Sequence, residues 1–557
     1  MLVNESRDLG KILFSSYLMN FKAKSFYFFI SMALHILNLF TLFTIFLFMI
    51  IAIQIRNLYK KYDPNTKRIP PAPWKLPIIG NILNLVTTNP PKKLRDLSKI
   101  YGPLMHLQLG EVFFVVVSSP EVAREVLKTH DTIFASRPHL LAAEIAGYNS
   151  TDIAFSPYGD YWRQLRKICA IELLSSRRIK SLWPVRENEI RSLLRNIASN
   201  EGSEFNLTQE VISMVYTFTS KAAFGKKYLE QEEFISVVKQ LIKLIGGFYI
   251  GDFFPSAKWI QNVSGMRRKI EKVSRQIDTI VEHIINDHKE ASSRRAKEGV
   301  AETEEDLIDC LLKFEDNGSN MDFHLTTDNI KAIIVVCNYC FYNIEITCMP
   351  DVFTAGGETA ATTINWAMAE MIKDPRVLKK AQAEVREGFN RRGVVDEAAI
   401  EEFKYLKAII KETLRLHPSV PLLLPRESGQ VCEINGYHIP VKSRVIVNAW
   451  AIGRDPKYWI DPDKFYPERF IDSSIDFKGN NFEYIPFGAG RRICPGINYG
   501  LANVEQTLAL LLYHFDWRLP NGMKNEELEL KDEFGATMSR KGDLYLIPTT
   551  SHPLLVI

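Results

Sequence analysis

The sequence is poor in the features that mark several large protein classes. Its seven cysteines in 557 residues (Cys169, Cys310, Cys337, Cys340, Cys348, Cys432 and Cys494) are scattered and odd in number. They make no disulfide framework, which points to a reducing compartment for the main domain. Cys337-x-x-Cys340 has no second pair at zinc spacing and no thioredoxin-like context, so neither a zinc site nor a redox pair is read from it. The net charge is only +4, from 69 Lys and Arg against 65 Asp and Glu. With no basic stripe carrying interleaved aromatics, nothing supports nucleic-acid binding. The eleven histidines show no ligand spacing, and there is no internal repeat.

What remains is ordinary globular composition, 46% hydrophobic and 24% charged, with ample length for a large core. One run stands apart. Phe26 to Ile55 carries no charge, and only His35, Asn38 and Gln54 are strongly polar. A helix needs about 20 apolar residues to span hydrocarbon, so residues 26–55 are predicted to form one transmembrane anchor. The run is too long for a signal-peptide core. Lys22 and Lys24 precede it; Arg56, Lys60, Lys61, Lys67 and Arg68 follow. That excess favours a cytosolic side for everything downstream. Residues 1–25 form an N-terminal extension. Residues 56–80 are basic and then proline-rich, with Pro70-Pro71-Ala72-Pro73-Trp74 predicting a stiff, non-helical hinge.

Residues 81–557 read as a single domain. Met105 to Val117 is a β-branched run broken by Leu109-Gly110-Glu111, which predicts a hairpin. Val431 to Val447 is strand-rich, with turns at Asn435-Gly436 and Pro440. Pro120–His130 opens a short helix. Helical spacing covers Tyr158–Ile171, Val185–Asn200, Glu233–Leu244, Met266–His288, Thr359–Lys373, Pro375–Phe389 and Gly500–Tyr513. Asp287 to Asp306 reads as a solvated helix end followed by a loop. The fold class is therefore mainly α with a minor β-sheet part.

Chemistry concentrates in a few places. In Phe487-Gly488-Ala489-Gly490-Arg491-Arg492-Ile493-Cys494-Pro495-Gly496, one cysteine sits in a glycine-rich loop ahead of an apolar helix. Glycines allow close backbone approach to a flat ligand, and backbone N–H groups and a helix N-terminus stabilise a thiolate. Ala355-Gly356-Gly357-Glu358-Thr359 places two costly glycines inside a helical pattern, at roughly 1 kcal/mol each against alanine, beside a carboxyl and a hydroxyl. A local opening where a ligand meets the backbone would account for that cost. Glu412-x-x-Arg415 puts opposite charges on one helix face, and Pro467-Glu468-Arg469-Phe470 offers a second arginine. Trp162-x-x-x-Arg166 places an indole N–H and a guanidinium on one face.

Together these motifs resemble those of the cytochromes P450, over roughly residue 65 to the C-terminus. Over most of the domain the chain resembles the plant microsomal group that includes sesquiterpene hydroxylases. The resemblance implies the P450 fold and haem b, with Cys494 as axial thiolate. Phe487 and Gly496 would lie beside it, and Trp162, Arg166, Arg426 and Arg492 would hold the propionates. Glu358 and Thr359 would deliver protons during oxygen activation. Glu412, Arg415 and Arg469 would be structural, locking the region behind the haem. The implied reaction inserts one atom of O2 into a lipophilic substrate, terpenoid or similar. Electrons would come from NADPH through cytochrome P450 reductase, which would meet a basic face at Arg163, Lys167, Arg177 and Arg178. The implied location is the endoplasmic-reticulum membrane, single-pass, with the catalytic domain cytosolic. The substrate pocket would draw on Leu140–Gly147, Phe353–Ala360, Val420-Pro421-Leu422 and Phe534–Thr537. A haem-thiolate isomerase would need no NADPH and no acid–alcohol pair, so Glu358-Thr359 argues against it.

One segment departs from the family's pattern. Val336 to Pro350 (VCNYCFYNIEITCMP) intervenes where one long helix is expected. Fifteen residues would lengthen a helix by about 22 Å and turn its upstream face by about 60°. Pro350 would break it just before Ala355-Gly356-Gly357. The segment reads either as retained non-coding sequence, leaving activity in doubt, or as a genuine bulged loop.

Overall fold

The computed structural model describes residues 68–225, 250–298, 306–316, 325–335, 353–393 and 396–554 (except 258 and 536), together with Asn38, Thr41, Thr44, Ile45, Leu47, Phe48 and Val237. The 336–350 insert, most of the 26–55 run and the helix expected at Glu233–Leu244 (Val237 excepted) lie outside the described residues. Among the described residues, no helix is long and apolar enough to cross a membrane. The chain divides into two units, Met1–Arg68 and Ile69–Ile557. The larger unit carries the site.

Its principal helices are α1 (Pro90–Tyr101), α2 (Leu141–Ala146), α3 (Asp160–Ile168), α4 (Trp183–Ser199), α5 (Leu207–Phe224), α6 (Met266–Glu298), α7 (Leu307–Asp316), α8 (Thr327–Val335), α9 (Phe353–Lys373), α10 (Pro375–Arg392), α11 (Lys404–Leu416) and α12 (Ile497–His514). The spine is α9. Ala360, Ala361, Ile364, Trp366, Ala367, Met368, Met371 and Ile372 on it are all buried, as are the polar Thr362, Thr363, Asn365 and Glu370, so the helix is enclosed on every side. Helices α5, α10, α11 and α12 pack around it. The start and stop of α10 are local chemistry. Asp374 accepts from the Arg376 N–H, Pro375 opens the first turn, and Gly393 closes it in the left-handed region at φ 69°. Helix α6 runs on to Glu298, further than the expected helix end, because Lys289 pairs with Glu315 and Arg295 with Asp309 on α7.

The main sheet has strands β1 (Leu104–Leu109), β2 (Val112–Val117), β3 (Arg426–Glu427) and, after a small hairpin of β4 (Cys432–Ile434) and β5 (Tyr437–Ile439), β6 (Arg444–Val447). Its order is β1-β2-β6-β3, with only β2 and β6 parallel. Asn435 at φ 50° and Gly436 at φ 75° make the tight turn between β4 and β5. The hairpin expected in Met105–Val117 is β1–β2, paired from Leu104↔Val117 to Leu109↔Val112. The proline-rich stretch is tied to it: the His106 N–H donates to the Pro71 carbonyl at 2.8 Å.

One turn is unusual. After α2, Tyr148, Asn149 and Ser150 are consecutively left-handed, at φ 46°, 62° and 57°. For residues with a Cβ this costs about 1–2 kcal/mol each. The Tyr148 hydroxyl donates to Asp278 of α6, which also accepts from Lys331 Nζ of α8 at 2.9 Å.

Candidate functional site: a thiol and four guanidinium groups on one apolar cavity

The loop before α12 is shaped by its partners. Gly488 and Gly490 both sit at φ 72°. A Cβ on Gly490 would lie 2.0 Å from the Leu127 carbonyl oxygen and 2.8 Å from Asp131 Oδ2, so the position admits only glycine. The Cys494 N–H donates to the Phe487 carbonyl at 3.0 Å and closes the loop. Asp131 organises it from outside, accepting from the Arg491 N–H at 2.7 Å and from Arg426 Nη1 at 2.9 Å.

The loop borders a cavity whose non-protein space, open solvent included, is about 1410 Å³. Cys494, Phe487, Gly496, Trp162, Arg166, Arg426 and Arg492 all line it, as does Arg137. Apolar groups fill the remaining wall, among them Ile153, Leu174, Ala360, Val420 and Leu423. Thr359 lies in the wall; Glu358 does not. Of the four stretches expected to line the pocket, Phe353–Ala360 contributes Gly356, Thr359 and Ala360, and Val420-Pro421-Leu422 contributes Val420. Neither Leu140–Gly147 nor Phe534–Thr537 does. The apolar residues of α2 pack towards α6 instead.

The polar donors are aimed by backbone carbonyls. Arg492 donates to Ala135 at 2.7 Å, Ile153 at 3.1 Å and Ser156 at 2.5 Å, with its guanidinium 4.2 Å from the Trp162 ring centroid. Arg166 donates to the Ile493 carbonyl at 2.7 Å, and Arg137 to Pro425 at 2.7 Å and Leu424 at 2.9 Å. These carbonyls fix the guanidinium groups at the cavity, where they can attract an acidic ligand. Two expected donors are spent differently. The Trp162 indole N–H goes to the Ile153 carbonyl at 2.9 Å, which fixes the ring rather than reaching into the cavity. Arg426 braces the loop through Asp131 and the Ala489 carbonyl at 2.8 Å, because it stands on β3 directly beneath both.

Burial pushes the Cys494 thiol up, opposed by the Gly496 N–H and by Arg166. Such a thiol ionises when a metal replaces its proton. One thiol, several guanidinium groups and an apolar wall suit a flat apolar macrocycle with a metal centre and an acidic edge.

Asp152 was not singled out by the sequence. Burial raises its carboxyl to about 6, partly offset by the Phe155 N–H and by Arg492. An acid raised in the fold binds more protons than the unfolded chain between about pH 4 and 6, so stability falls across that window. Asp152→Asn is therefore expected to stabilise the protein at pH 8, on the order of 2 kcal/mol, and to have little effect at pH 4. Thermal melts at the two pH values check this; equal shifts at both would remove the titration as cause.

The two glycines before Glu358 serve packing. A Cβ on Gly356 would stand 3.0 Å from the Tyr499 ring, and one on Gly357 would stand 3.4 Å from the Tyr216 ring. Gly356 also lines the cavity, as the expected opening requires, whereas Gly357 does not and meets only α5. Behind the cavity, Glu412 is fully buried and accepts from Arg415 at 2.7 and 2.9 Å, from Arg469 at 3.0 Å and from the Tyr466 N–H at 2.8 Å. These three side chains form one cluster and do not line the cavity.

A family model described as Cytochrome P450 matches residues 70–546. "Cytochrome P450 71D11" of Lotus japonicus is 61% identical over 90% of this chain and 99% of its own length. Premnaspirodiene oxygenase of Hyoscyamus muticus is 51% identical over 93% and 99%, and 5-epiaristolochene 1,3-dihydroxylase of Nicotiana tabacum 49% over 93% and 99%. Among solved structures, a zebrafish cytochrome P450 with abiraterone covers 84% of this chain and 100% of its own, with a TM-score of 0.68 at 23% identity, a likeness of fold.

Proposed function

The chain belongs to the cytochrome P450 family of haem monooxygenases, and from that premise we propose that it oxygenates a terpenoid or similarly lipophilic small molecule with electrons from NADPH–cytochrome P450 reductase. The observation that carries this is the convergence of Cys494 and the guanidinium groups on one large apolar cavity with Thr359 in its wall. Terpenoid-oxidising relatives support the substrate class. Haem held by a thiolate supplies the redox centre at which the O–O bond is cleaved. Cys494 would hold the iron, with Arg166, Arg492 and Arg137 turned to the propionates. The wall of Ile153, Ala154, Leu174, Val420 and Leu423 would bind the substrate and exclude water. Thr359 would present its hydroxyl at the cavity, and Glu358 would bring protons to it. One oxygen atom enters the substrate and the other leaves as water; NADPH supplies two electrons, and two protons are consumed.

The same reading places the protein at the endoplasmic-reticulum membrane. The uncharged run from Phe26 to Ile55 and the basic residues after it support this. The test uses membrane fractions of cells making the full chain with reductase. A thiolate-type CO difference spectrum and NADPH-dependent products from a terpenoid panel are expected in the pellet. Haem-free protein, or product without NADPH, would overturn the reading.

Helices α8 and α9 flank Val336–Pro350, in the stretch that the family pattern runs as one helix. Deleting those fifteen residues is expected to raise turnover severalfold. Equal or lower turnover of the deletion would make the segment a working part.

A further inference from the structure

Glu358 stands next to the cavity yet outside its wall, and its carboxyl has a specific holder. Tyr216 on α5 donates its hydroxyl to Glu358 Oε2 at 3.0 Å. The tyrosine is fully buried, and burial together with the adjoining carboxylate pushes its phenol well above the usual range, so it stays a donor. Its ring packs over Gly357 of α9, where a Cβ would meet it at 3.4 Å. That packing and the hydrogen bond together place the donor beside Glu358. Thr219, one turn on along α5, and Tyr499 of α12 crowd the neighbouring Gly356. Thr359, by contrast, is in the cavity wall. The acid and the alcohol are thus consecutive residues facing different surroundings, and a proton passing from Glu358 to Thr359 has to cross from the phenol's side of α9 to the cavity.

We propose that Tyr216 is a positioning residue for the reaction, a clasp that holds the Glu358 carboxyl outside the cavity between proton deliveries. This rests on the reading of Glu358 as the proton-delivering acid. The clasp orients the carboxyl, and it sets when the carboxyl turns inward. Without it, protons arrive at the wrong stage, and reduced oxygen leaves as hydrogen peroxide (O2, two electrons and two protons) in place of product and water.

The test is Tyr216→Phe in the full-length haem-loaded protein. A hydrogen bond to a charged group is worth roughly 1.5–3 kcal/mol. Its loss is expected to raise the midpoint of the Glu358 carboxyl band in pH-difference infrared spectra of the ferric protein by at least about one pH unit. Glu358→Gln, which lacks the band, identifies it. With reductase and a substrate, peroxide released per product is expected to rise severalfold. Glu358→Asp keeps an acid but falls one methylene short of the phenol. It is expected to leak similarly, and Y216F/E358D to leak no more than E358D. An unshifted midpoint, unchanged peroxide or a fully additive double variant would overturn the proposal, whatever happens to the melting temperature. The infrared arm needs no turnover, so a shifted midpoint in a protein that oxygenates nothing would fault the monooxygenase reading and leave the contact standing.

Discussion

Cys494→Ala is expected to yield a folded protein with no thiolate-type CO band. Among the described cysteines, Cys169, Cys310 and Cys432 do not line the cavity, so none of these three sulfurs takes over. The loop itself does not depend on the side chain. It is closed by the Cys494 N–H to Phe487 carbonyl bond and braced by Asp131 and Arg426. Stability should hardly change while iron binding fails. Removing an outer-shell partner of a metal typically loses about 10–100-fold in affinity, and removing the ligand should lose more. The measurement pairs a reduced CO difference spectrum with total haem content. A persisting thiolate band would eliminate Cys494 as the ligand.

The largest expected effect on stability lies at Glu412. Glu412→Gln leaves the guanidinium groups of Arg415 and Arg469 facing a neutral amide in a site with no exposure at Glu412 or Arg415. Breaking a buried pair from one side costs about 3–5 kcal/mol, because the remaining charge is desolvated and uncompensated. A domain has only about 5–15 kcal/mol in all, so most of the variant should be lost on expression. Arg376→Gln, which breaks a pair with Glu468 where the arginine is half-exposed, is the comparison and should cost no more than about 1 kcal/mol. Urea midpoints of the two variants check the contrast. A Glu412→Gln midpoint equal to that of Arg376→Gln would remove the cluster as a stabilising lock.

What the sequence made legible was local. The glycines of the cysteine loop and the β-branched run of β1–β2, broken at Leu109-Gly110-Glu111, each announce themselves within about a dozen residues. So does Glu412-x-x-Arg415, whose partners share one helical face. The residues that escaped notice act across the chain. Asp131 meets Arg426 across 295 positions and Tyr216 meets Glu358 across 142. A lone aspartate or tyrosine on a helix has no pattern; only tertiary packing gives it a role. Gly357 shows the complementary failure. The rarity of glycine in a helix was visible, but that an aromatic ring of α5 meets its missing Cβ is decided by packing. The Trp162 indole was likewise legible as a donor, though not its carbonyl target.

The left-handed run Tyr148-Asn149-Ser150 has a bearing on how this protein changes over generations. A backbone wound against its preference is fastened here by the Tyr148 phenol on α6 and by the Asn149 and Ser150 N–H groups on the carbonyls of Glu144 and Ala143. Losing the phenol would release part of that strain without altering any cavity-lining side chain. Drift in such fastenings can accumulate while every residue that touches the substrate stays the same.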